Sequence, residues 1–301
     1  MGLVSDTALA RTVPEIDLIV GGHKHAVLHH PMLIGTQGLL CDSLLTGDGK
    51  HRIPGCLVLQ AGARGFYLGV LSLLVRAGDI VSASGELLRN DGSAALPDTA
   101  LANYIESLEE SFTQTLDDTI ALLTEPLYNY PYGEETSMGR WVTDAFRIRT
   151  GVDLAFQNPG GLRKTIDAGR ITARDIWEAC PFGNSLVIFE LTGAEVQQVV
   201  DHLADEPREP LLVSGLTVRL DRREKRGIDL KISGMPVDPD IKYRAVTISY
   251  IIGHFKEYLG LELGNRYIYD TGILDRDLLI EAARSDSLIV PPVDRRITRN
   301  D

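Results

Sequence analysis

Two histidines near the start of the chain, His23 and His25, have the clearest potential for metal chemistry. They follow an apolar run, residues 16–20, and two glycines, in the order Ile-Asp-Leu-Ile-Val-Gly-Gly-His-Lys-His. The run predicts a buried strand, and the glycines allow a sharp turn at its end, where α/β proteins commonly build sites. Imidazole suits zinc, iron, nickel or manganese-type ions, but two ligands do not close a site. The alternative is a surface loop with chance histidines, which is how we interpret His29 and His30.

A second candidate segment, Asn158 to Arg163, has the sequence Asn-Pro-Gly-Gly-Leu-Arg and follows a predicted strand over residues 153–157. Glycines such as Gly160 and Gly161 let a ligand approach the backbone closely. The guanidinium of Arg163 can bind a phosphate or a carboxylate through two hydrogen bonds. Taken alone, the segment is more typical of an ordinary turn with a surface arginine.

A third segment, Pro-Phe-Gly-Asn at residues 181–184, lies between a predicted helix and a predicted strand. An exposed Phe182 can stack on a planar base, and the amide of Asn184 offers both a donor and an acceptor. Taken alone, this segment is more typical of a turn that ends a helix, with its phenylalanine in the core.

The composition indicates a globular protein of about two domains, because 301 residues can bury a full core. Thirty basic and 42 acidic residues give a net charge of −12. This balance argues against nucleic acid as a partner, since no basic stripe is present to neutralise phosphates. A small anionic substrate stays possible, because one arginine or a metal ion can outweigh a distant negative surface.

The cysteines and the chain ends give weaker signals. Cys41, Cys56 and Cys180 match neither a metal spacing nor a disulfide framework, so we expect buried or incidental thiols. No apolar run approaches the length of a membrane span, and residues 1–6 lack the pattern of a secretory signal. The sequence as written therefore predicts a cytoplasmic protein with no membrane span.

The elements that position these segments follow from periodicity and capping residues. Apolar runs at 67–76 and 80–88 predict a hairpin, and residues 98–122 predict a long helix. Three further helices are predicted to be capped by Ser137, Thr172 and Thr192. Strands are predicted at 17–20, 56–60, 153–157, 185–191, 211–220, 228–232 and 243–249, and a last helix at 275–284.

The order and spacing of the motifs in the second half resemble those of a known family. The segments 153–163, 168–172 (Ala-Gly-Arg-Ile-Thr), 181–184 and 191–194 (Leu-Thr-Gly-Ala) are similar to the 5′-nucleotidase C-terminal domain. That family includes bacterial UDP-sugar hydrolase/5′-nucleotidase and 2′,3′-cyclic-nucleotide phosphodiesterase. The stretch 16–25 resembles the end of its N-terminal, calcineurin-like metallophosphoesterase domain. The resemblance covers about residues 3–295.

The resemblance implies an α/β fold, in which the end of a metallophosphoesterase β-sandwich precedes an α/β substrate-binding domain. We expect the remnant at 1–95, a connecting helix at 96–123, and an independently folding C-terminal domain at 124–301. Family members hydrolyse nucleotide phosphoesters with divalent metals of the manganese, zinc, cobalt or magnesium type. By position, the implied metal ligands are His23 and His25. The implied residues for nucleotide or nucleoside substrate are Asn158, Gly160, Gly161, Arg163, Phe182, Asn184 and Tyr250.

Departures from the family pattern leave the enzymatic role open. The Asp-x-His and Asn-His-Glu motifs, which carry further metal ligands and the catalytic His/Asp pair, are absent from the 301 residues, so no catalytic residue is assigned. The family's Gly-Gly-Asp-Gly is Gly-His-Phe-Lys at residues 253–256. We therefore expect negligible hydrolysis by this polypeptide alone.

Three interpretations remain. The chain is the nucleotide-binding part of a hydrolase whose N-terminal part a separate chain supplies, a non-catalytic nucleotide-binding module, or a truncated, inactive remnant. Full-length family members are usually periplasmic or extracellular.

Overall fold

The computed structural model describes residues 2–42, 45–92, 96–131, 134–205 and 211–300. The helices in these ranges are α1 (Leu3–Thr12), α2 (Thr99–Leu116), α3 (Ser137–Thr150), α4 (Ala173–Ala179), α5 (Gly193–Asp205), α6 (Ser249–Gly253), α7 (Phe255–Leu259) and α8 (Asp275–Asp286). A short 3₁₀ turn covers Pro159–Gly161.

The strands fall into five sheets. They are β1 (Leu18–Val20), β2 (Met32–Gly35), β3 (Gly38–Asp42), β4 (Leu45–Thr46), β5 (Cys56–Leu59), β6 (Tyr67–Arg76), β7 (Asp79–Arg89), β8 (Thr119–Leu123), β9 (Leu154–Gln157), β10 (Gly169–Thr172), β11 (Ser185–Thr192), β12 (Leu212–Ser214), β13 (Leu216–Asp221), β14 (Arg226–Ile232), β15 (Met235–Pro236), β16 (Lys242–Ile248), β17 (Ile268–Leu274), β18 (Leu288–Ile289) and β19 (Ile297–Asn300).

Contacts divide the chain into a first unit, Met1–Ile105, and a second unit, Glu106–Asp301. The first unit holds two sheets, with strand orders β1-β5-β2-β3 and β4-β7-β6. Successive residues of β5 point to opposite faces, so Val58 packs with Ala10 of α1 while Leu57 packs with Ala83 of β7. The first sheet therefore lies between a helix and the second sheet.

Strand β6 leaves apolar side chains uncovered. It forms a hairpin with β7 and is the last strand of its sheet, with no further strand beyond it in the described chain. Leu68, Leu74 and Val75 are all exposed. Long apolar strands at a sheet edge invite pairing with another chain.

The second unit is built on a five-stranded sheet of order β12-β9-β16-β11-β17, in which β9 and β16 are parallel and the other neighbours antiparallel. Two smaller sheets have the orders β10-β8-β18 and β15-β14-β13-β19. One continuous core joins these sheets and helices, and Phe146, Phe156 and Phe189 are its largest fully buried side chains.

Capping residues define the helix starts close to the predicted positions. The Thr172 hydroxyl accepts from the main-chain N–H of Asp175, whose carboxylate accepts from Thr172 N–H, so the predicted start of α4 is confirmed. The prediction that Ser137 caps α3 was wrong by one residue. Thr136 accepts from the N–H of Gly139, whereas the Ser137 hydroxyl accepts from Tyr128 N–H at 2.8 Å.

Two other predicted elements differ in extent. The helix expected to reach residue 122 ends at Leu116, and β8 follows as the central strand of its sheet. Alternation explains this, because Ala121 and Leu123 are buried while Leu122 is exposed. The strand predicted over 211–220 is divided at Gly215 into β12 and β13.

The predictions about fold class and cysteines can be compared with the structure, whereas those about location and domain boundaries cannot. The mixed α/β fold class is confirmed, and Cys56 and Cys180 are buried free thiols as expected. The side chain of Cys41 lies outside the described residues. None of the described helices combines the length and apolar composition that crossing a bilayer requires. The cytoplasmic location and the boundaries at 95/96 and 123/124 stay predictions.

Candidate functional site

The histidine loop leaves the end of β1 with an unusual backbone. His23 and His25 are exposed and have φ angles of 70° and 58°. These left-handed angles are uncommon for residues with a Cβ, although histidine is among those more often found there. The sequence led us to expect the turn's special angles at the glycines, but Gly21 and Gly22 are not among the residues with positive φ.

Gly21 instead allows two buried side chains to lie close to the backbone. A Cβ at this position would lie 2.2 Å from Oδ2 of Asp6 and 2.7 Å from Nε2 of Gln60. Those two side chains are buried and hydrogen-bonded to each other at 2.8 Å. The first glycine of the pair is therefore required by packing, whereas nothing lies within 4 Å of a Cβ at Gly22.

The loop does not by itself fit a metal centre. In the described parts of the chain, no group of three or more His, Cys, Asp or Glu side chains could hold a metal ion. A structural zinc site needs four ligands and a catalytic one usually three from protein. The two imidazoles can therefore supply only part of a metal's ligand set.

The 158–163 segment of the second unit leads from β9 into the 3₁₀ turn. Asn158 is buried, and its main-chain oxygen accepts from the side chain of Gln157 at 3.1 Å. A Cβ at Gly161 would lie 2.2 Å from Nε2 of Gln157, so this glycine is packed against protein. The Gly160 carbonyl accepts from Nη1 of Arg163 at 3.4 Å, and the main-chain N–H of Arg163 donates to Ala179.

The 181–184 segment lies beside this arginine. The Phe182 ring is 61% exposed, and the Cζ atom of Arg163 is 6.0 Å from its centroid. The Asn184 side chain is held from two sides, because its Oδ1 accepts from the Ser249 hydroxyl at 3.4 Å and its amide bonds the Asp275 carboxylate. The loop therefore presents a free aromatic face while its asparagine is fixed.

Tyr250 follows Ser249 directly, at the start of α6. Its ring is 43% exposed and lies 4.4 Å from the ring of His254, tilted by 35°. The His254 ring is also held by the main chain, since its Nδ1 lies 2.9 Å from the main-chain carbonyl oxygen of Tyr250. His254 belongs to residues 253–256, where the sequence differs from the family's Gly-Gly-Asp-Gly. The histidine at this position places a second ring against that of Tyr250.

Two residues of this neighbourhood were missed by the sequence analysis. The Cζ atom of Arg276 lies 3.7 Å from the centroid of the Trp177 ring. They come from α8 and α4, far apart in sequence, and no local motif signals their contact. An exposed tryptophan, one of only two in the chain, was the available hint.

Burial raises the pKa of two acidic groups near these segments. Desolvation raises the pKa of the Asp275 carboxyl, although hydrogen bonds from Arg276 N–H and Asn184 oppose the shift. Burial also raises the pKa of the Cys180 thiol, so this cysteine is not a nucleophile near neutral pH.

A cavity of about 780 Å³ elsewhere in the second unit contains none of the predicted site residues. Its lining includes Glu135, Arg140 and Arg295. Desolvation raises the pKa of Glu135, whose carboxylate accepts hydrogen bonds from the main chain of Arg296. We assign this cavity no role.

Comparison with known proteins identifies the family. The family model for the 5′-nucleotidase C-terminal domain matches residues 119–261. Protein UshA of Escherichia coli (strain K12) is 33% identical over 299 residues, which cover 91% of this chain and 54% of UshA. The 5′-nucleotidase of Vibrio cholerae is 26% identical over 308 residues, which cover 94% of this chain and 55% of the relative. The chain belongs to the 5′-nucleotidase family.

A solved structure supports the same fold. The 5′-nucleotidase precursor from Thermus thermophilus aligns with a TM-score of 0.75 at 24% identity, covering 100% of this chain and 62% of that one. This 5′-nucleotidase family chain spans about half the length of the UshA and 5′-nucleotidase relatives named above. The similarity to 5′-nucleotidases supports the predicted family, whereas phosphoester hydrolysis by this chain stays a prediction. The roles of its individual residues stay predictions.

Proposed function

We propose that this chain is the nucleotide-binding part of a phosphoester hydrolase of the 5′-nucleotidase family. The observation that carries this proposal is the exposed ring of Phe182, which has the Arg163 guanidinium 6.0 Å from its centroid and the fixed Asn184 two residues along the same loop. An aromatic face next to a cation suits a ligand with a planar base and an anionic group. Among the described residues Arg163 forms no salt bridge, so its charge is available to that group.

Each predicted residue then has a distinct task. Phe182 and Tyr250 offer ring faces to the base, and stacking of one base on an aromatic side chain contributes about 1–3 kcal/mol. Arg163 binds the anionic part of the ligand. Asn158, Gly160 and Gly161 form the turn that holds Arg163 in place, rather than an open surface for the ligand.

His23 and His25 are proposed to be two ligands of a divalent-metal centre of the manganese, zinc, cobalt or magnesium type. The remaining ligands would come from a metallophosphoesterase segment that these 301 residues do not include, on a separate chain or on the same polypeptide. Two features of the first unit support such a partner. Val20 is 77% exposed on β1, the last strand of its sheet, and the apolar side chains of β6 are uncovered.

A non-catalytic nucleotide-binding module is the second candidate. The histidine loop favours it, because the described chain offers no third metal ligand near these imidazoles. Both candidates require nucleotide binding, and they differ in whether an added metallophosphoesterase segment restores hydrolysis.

Calorimetric titration of the full chain with AMP tests nucleotide binding. We expect Phe182→Ala to weaken binding by about tenfold or more, the loss of one stacked base. Phe66→Ala is a matched control, because Phe66 is 60% exposed but belongs to the first unit. No binding by the unmodified chain, or an equal loss in both variants, contradicts the proposal.

The same protein should not hydrolyse AMP with added manganese, cobalt or zinc. Metal-dependent turnover that His23→Ala abolishes would show that the chain completes its own metal centre. Turnover that His23→Ala leaves unchanged would point to a contaminating phosphatase.

A further inference from the structure

The Arg276–Trp177 pair lies against the loop to which we assign base binding. The start of α8 is fixed to this loop, because the main-chain N–H of Asp275 donates to the Asn184 oxygen at 2.8 Å. Gly183, between the aromatic residue and the asparagine, has a φ of 63°. A Cβ there would lie 3.0 Å from Nη1 and 3.2 Å from Nη2 of Arg276. It would also lie 3.1 Å from Cζ, so the guanidinium group lies against the loop with one face towards Gly183.

The guanidinium of Arg276 is held over the Trp177 ring, and its charge also acts on the neighbouring Asp275 carboxylate, where it opposes the rise in pKa that burial causes. Its Cζ atom is at stacking distance from the Trp177 ring, which fixes the guanidinium plane. The neighbouring carboxylate of Asp275 accepts from the main-chain N–H of Arg276 at 2.7 Å. Within the described ranges, the guanidinium forms no salt bridge, and its buried Nε has no hydrogen-bond partner.

A guanidinium carries only hydrogen-bond donors. A base stacked on Phe182 has an edge within reach of groups beside Gly183. The carbonyl oxygen and neighbouring ring nitrogen of a 6-oxopurine can accept two N–H groups from one arginine. Adenine places an amino group, also a donor, where that carbonyl stands. The donors of Arg276 are thus complementary to the acceptors of a 6-oxopurine, whereas they face another donor in adenine.

We propose that Arg276, oriented by Trp177, is a specificity-determining residue that favours 6-oxopurine nucleosides and nucleotides over those of adenine. This inference rests on the proposed function, because it requires that the base binds at Phe182. It makes Trp177 a positioning residue, which acts through the arginine.

Calorimetric titrations of the full chain with inosine and with adenosine test the inference, since the two nucleosides differ in the group at position 6. We expect inosine to bind about tenfold more tightly, the usual scale of one bidentate arginine contact. Arg276→Ala should remove this preference while adenosine still binds. Trp177→Ala should reduce the preference, because the guanidinium then loses its support.

Two further variants separate recognition from folding. Arg276→Lys keeps a cation that carries only donors but loses the planar fork, so it should fold normally and show a weaker preference for inosine. Arg284→Ala removes an exposed arginine from the last turn of the same helix and should leave the preference intact.

The outcomes distinguish the two proposals. Equal binding of inosine and adenosine, tighter binding of adenosine, or a preference that survives Arg276→Ala would overturn the role of Arg276 and leave nucleotide binding standing. Failure to bind either nucleoside while AMP binds would overturn the role of Arg276 alone, and failure to bind AMP as well would overturn both proposals.

Discussion

The two units hold their candidate site residues in different ways. In the first unit, His23 and His25 are exposed on a loop with left-handed backbone angles. In the second unit, Asn184 is tied by hydrogen bonds to α6 and α8, and these helices pack on a continuous core. The candidate binding surface therefore lies entirely within this chain. The described residues of the first unit, in contrast, contain no group of three side chains that could hold a metal ion.

The stability of the second unit should depend strongly on the residue at which a fragment of it begins. The sequence predicted independent folding for residues 124–301, but β8 (Thr119–Leu123) precedes that boundary and pairs with both β10 and β18. We expect a 106–301 fragment to unfold cooperatively in urea. A 124–301 fragment should be less stable by about 3 kcal/mol or more, because Ala121 and Leu123 would leave the core. Equal urea midpoints for the two fragments would show that β8 is dispensable.

Removing an arginine should destabilise the second unit much more than the first. Arg296 is 5% exposed, bonds the Asp144 carboxylate at 2.6 Å and donates to the buried Val213 oxygen at 2.8 Å. Arg296→Met removes both bonds and leaves Asp144 with the Ser214 hydroxyl and the longer contact to Arg147 at 4.0 Å. We expect a loss of about 3–5 kcal/mol in the free energy of unfolding. Arg52→Met breaks an exposed pair with Asp17 at 2.8 Å and should cost at most about 1 kcal/mol.

Urea denaturation followed by two spectroscopic probes distinguishes the loss of stability in Arg296→Met from that in Arg52→Met. Both tryptophans, Trp141 and Trp177, belong to the second unit, so their fluorescence reports on that unit, while far-UV circular dichroism reports on the whole chain. A small fluorescence-detected loss for Arg296→Met would mean that Asp144 recovers solvent or another partner.

The same contrast explains how much the sequence could predict. The start of α4 and the β6/β7 hairpin depend on residues close in sequence, such as Thr172 with Asp175, and these predictions were confirmed. Strand β8 was predicted as helix because its partners lie far along the chain, and only pairing with them decides its state. The contact of Trp177 with Arg276 requires the packing of two distant helices. Local signals therefore located the loops but not the side chains that surround them.

The glycine pair of the histidine loop offers a matched test inside the first unit. Gly21→Ala would place a Cβ 2.2 Å from the buried Asp6 carboxylate, so we expect a loss of about 1–3 kcal/mol. Gly22→Ala meets nothing within 4 Å and should change stability by less than about 0.5 kcal/mol. Thermal unfolding followed by circular dichroism would compare the two. Equal effects would mean that the backbone moves to relieve the contact at Gly21.

A pH dependence of stability should be stronger in the second unit than in the first, and it is the weakest of these effects. Glu195 forms a bidentate pair with Arg266, at 2.7 and 3.0 Å, and this arginine holds the pKa of the carboxyl below its usual range. A group with a lowered folded-state pKa stabilises the protein above its unfolded-state pKa, and that stability disappears as the pH falls through the folded-state value. Hydrogen bonds from the main chain of His51 also lower the pKa of Asp48 in the first unit, but this carboxylate is fully exposed.

Urea midpoints at about pH 6 and about pH 3 should therefore respond differently in two variants. Glu195→Gln should lower the midpoint at the higher pH by an amount equivalent to about 1 kcal/mol. The difference from the unmodified chain should be smaller at the lower pH, because the native carboxylate loses its charge as the pH falls through its folded-state pKa. Asp48→Asn should lower the midpoint at the higher pH by less than Glu195→Gln does, since solvent screens an exposed charge. An acid-dependent loss in Asp48→Asn that matched Glu195→Gln would mean that the exposed loop contributes as much as the partly buried pair, and that the two units do not differ in how firmly they hold their charges.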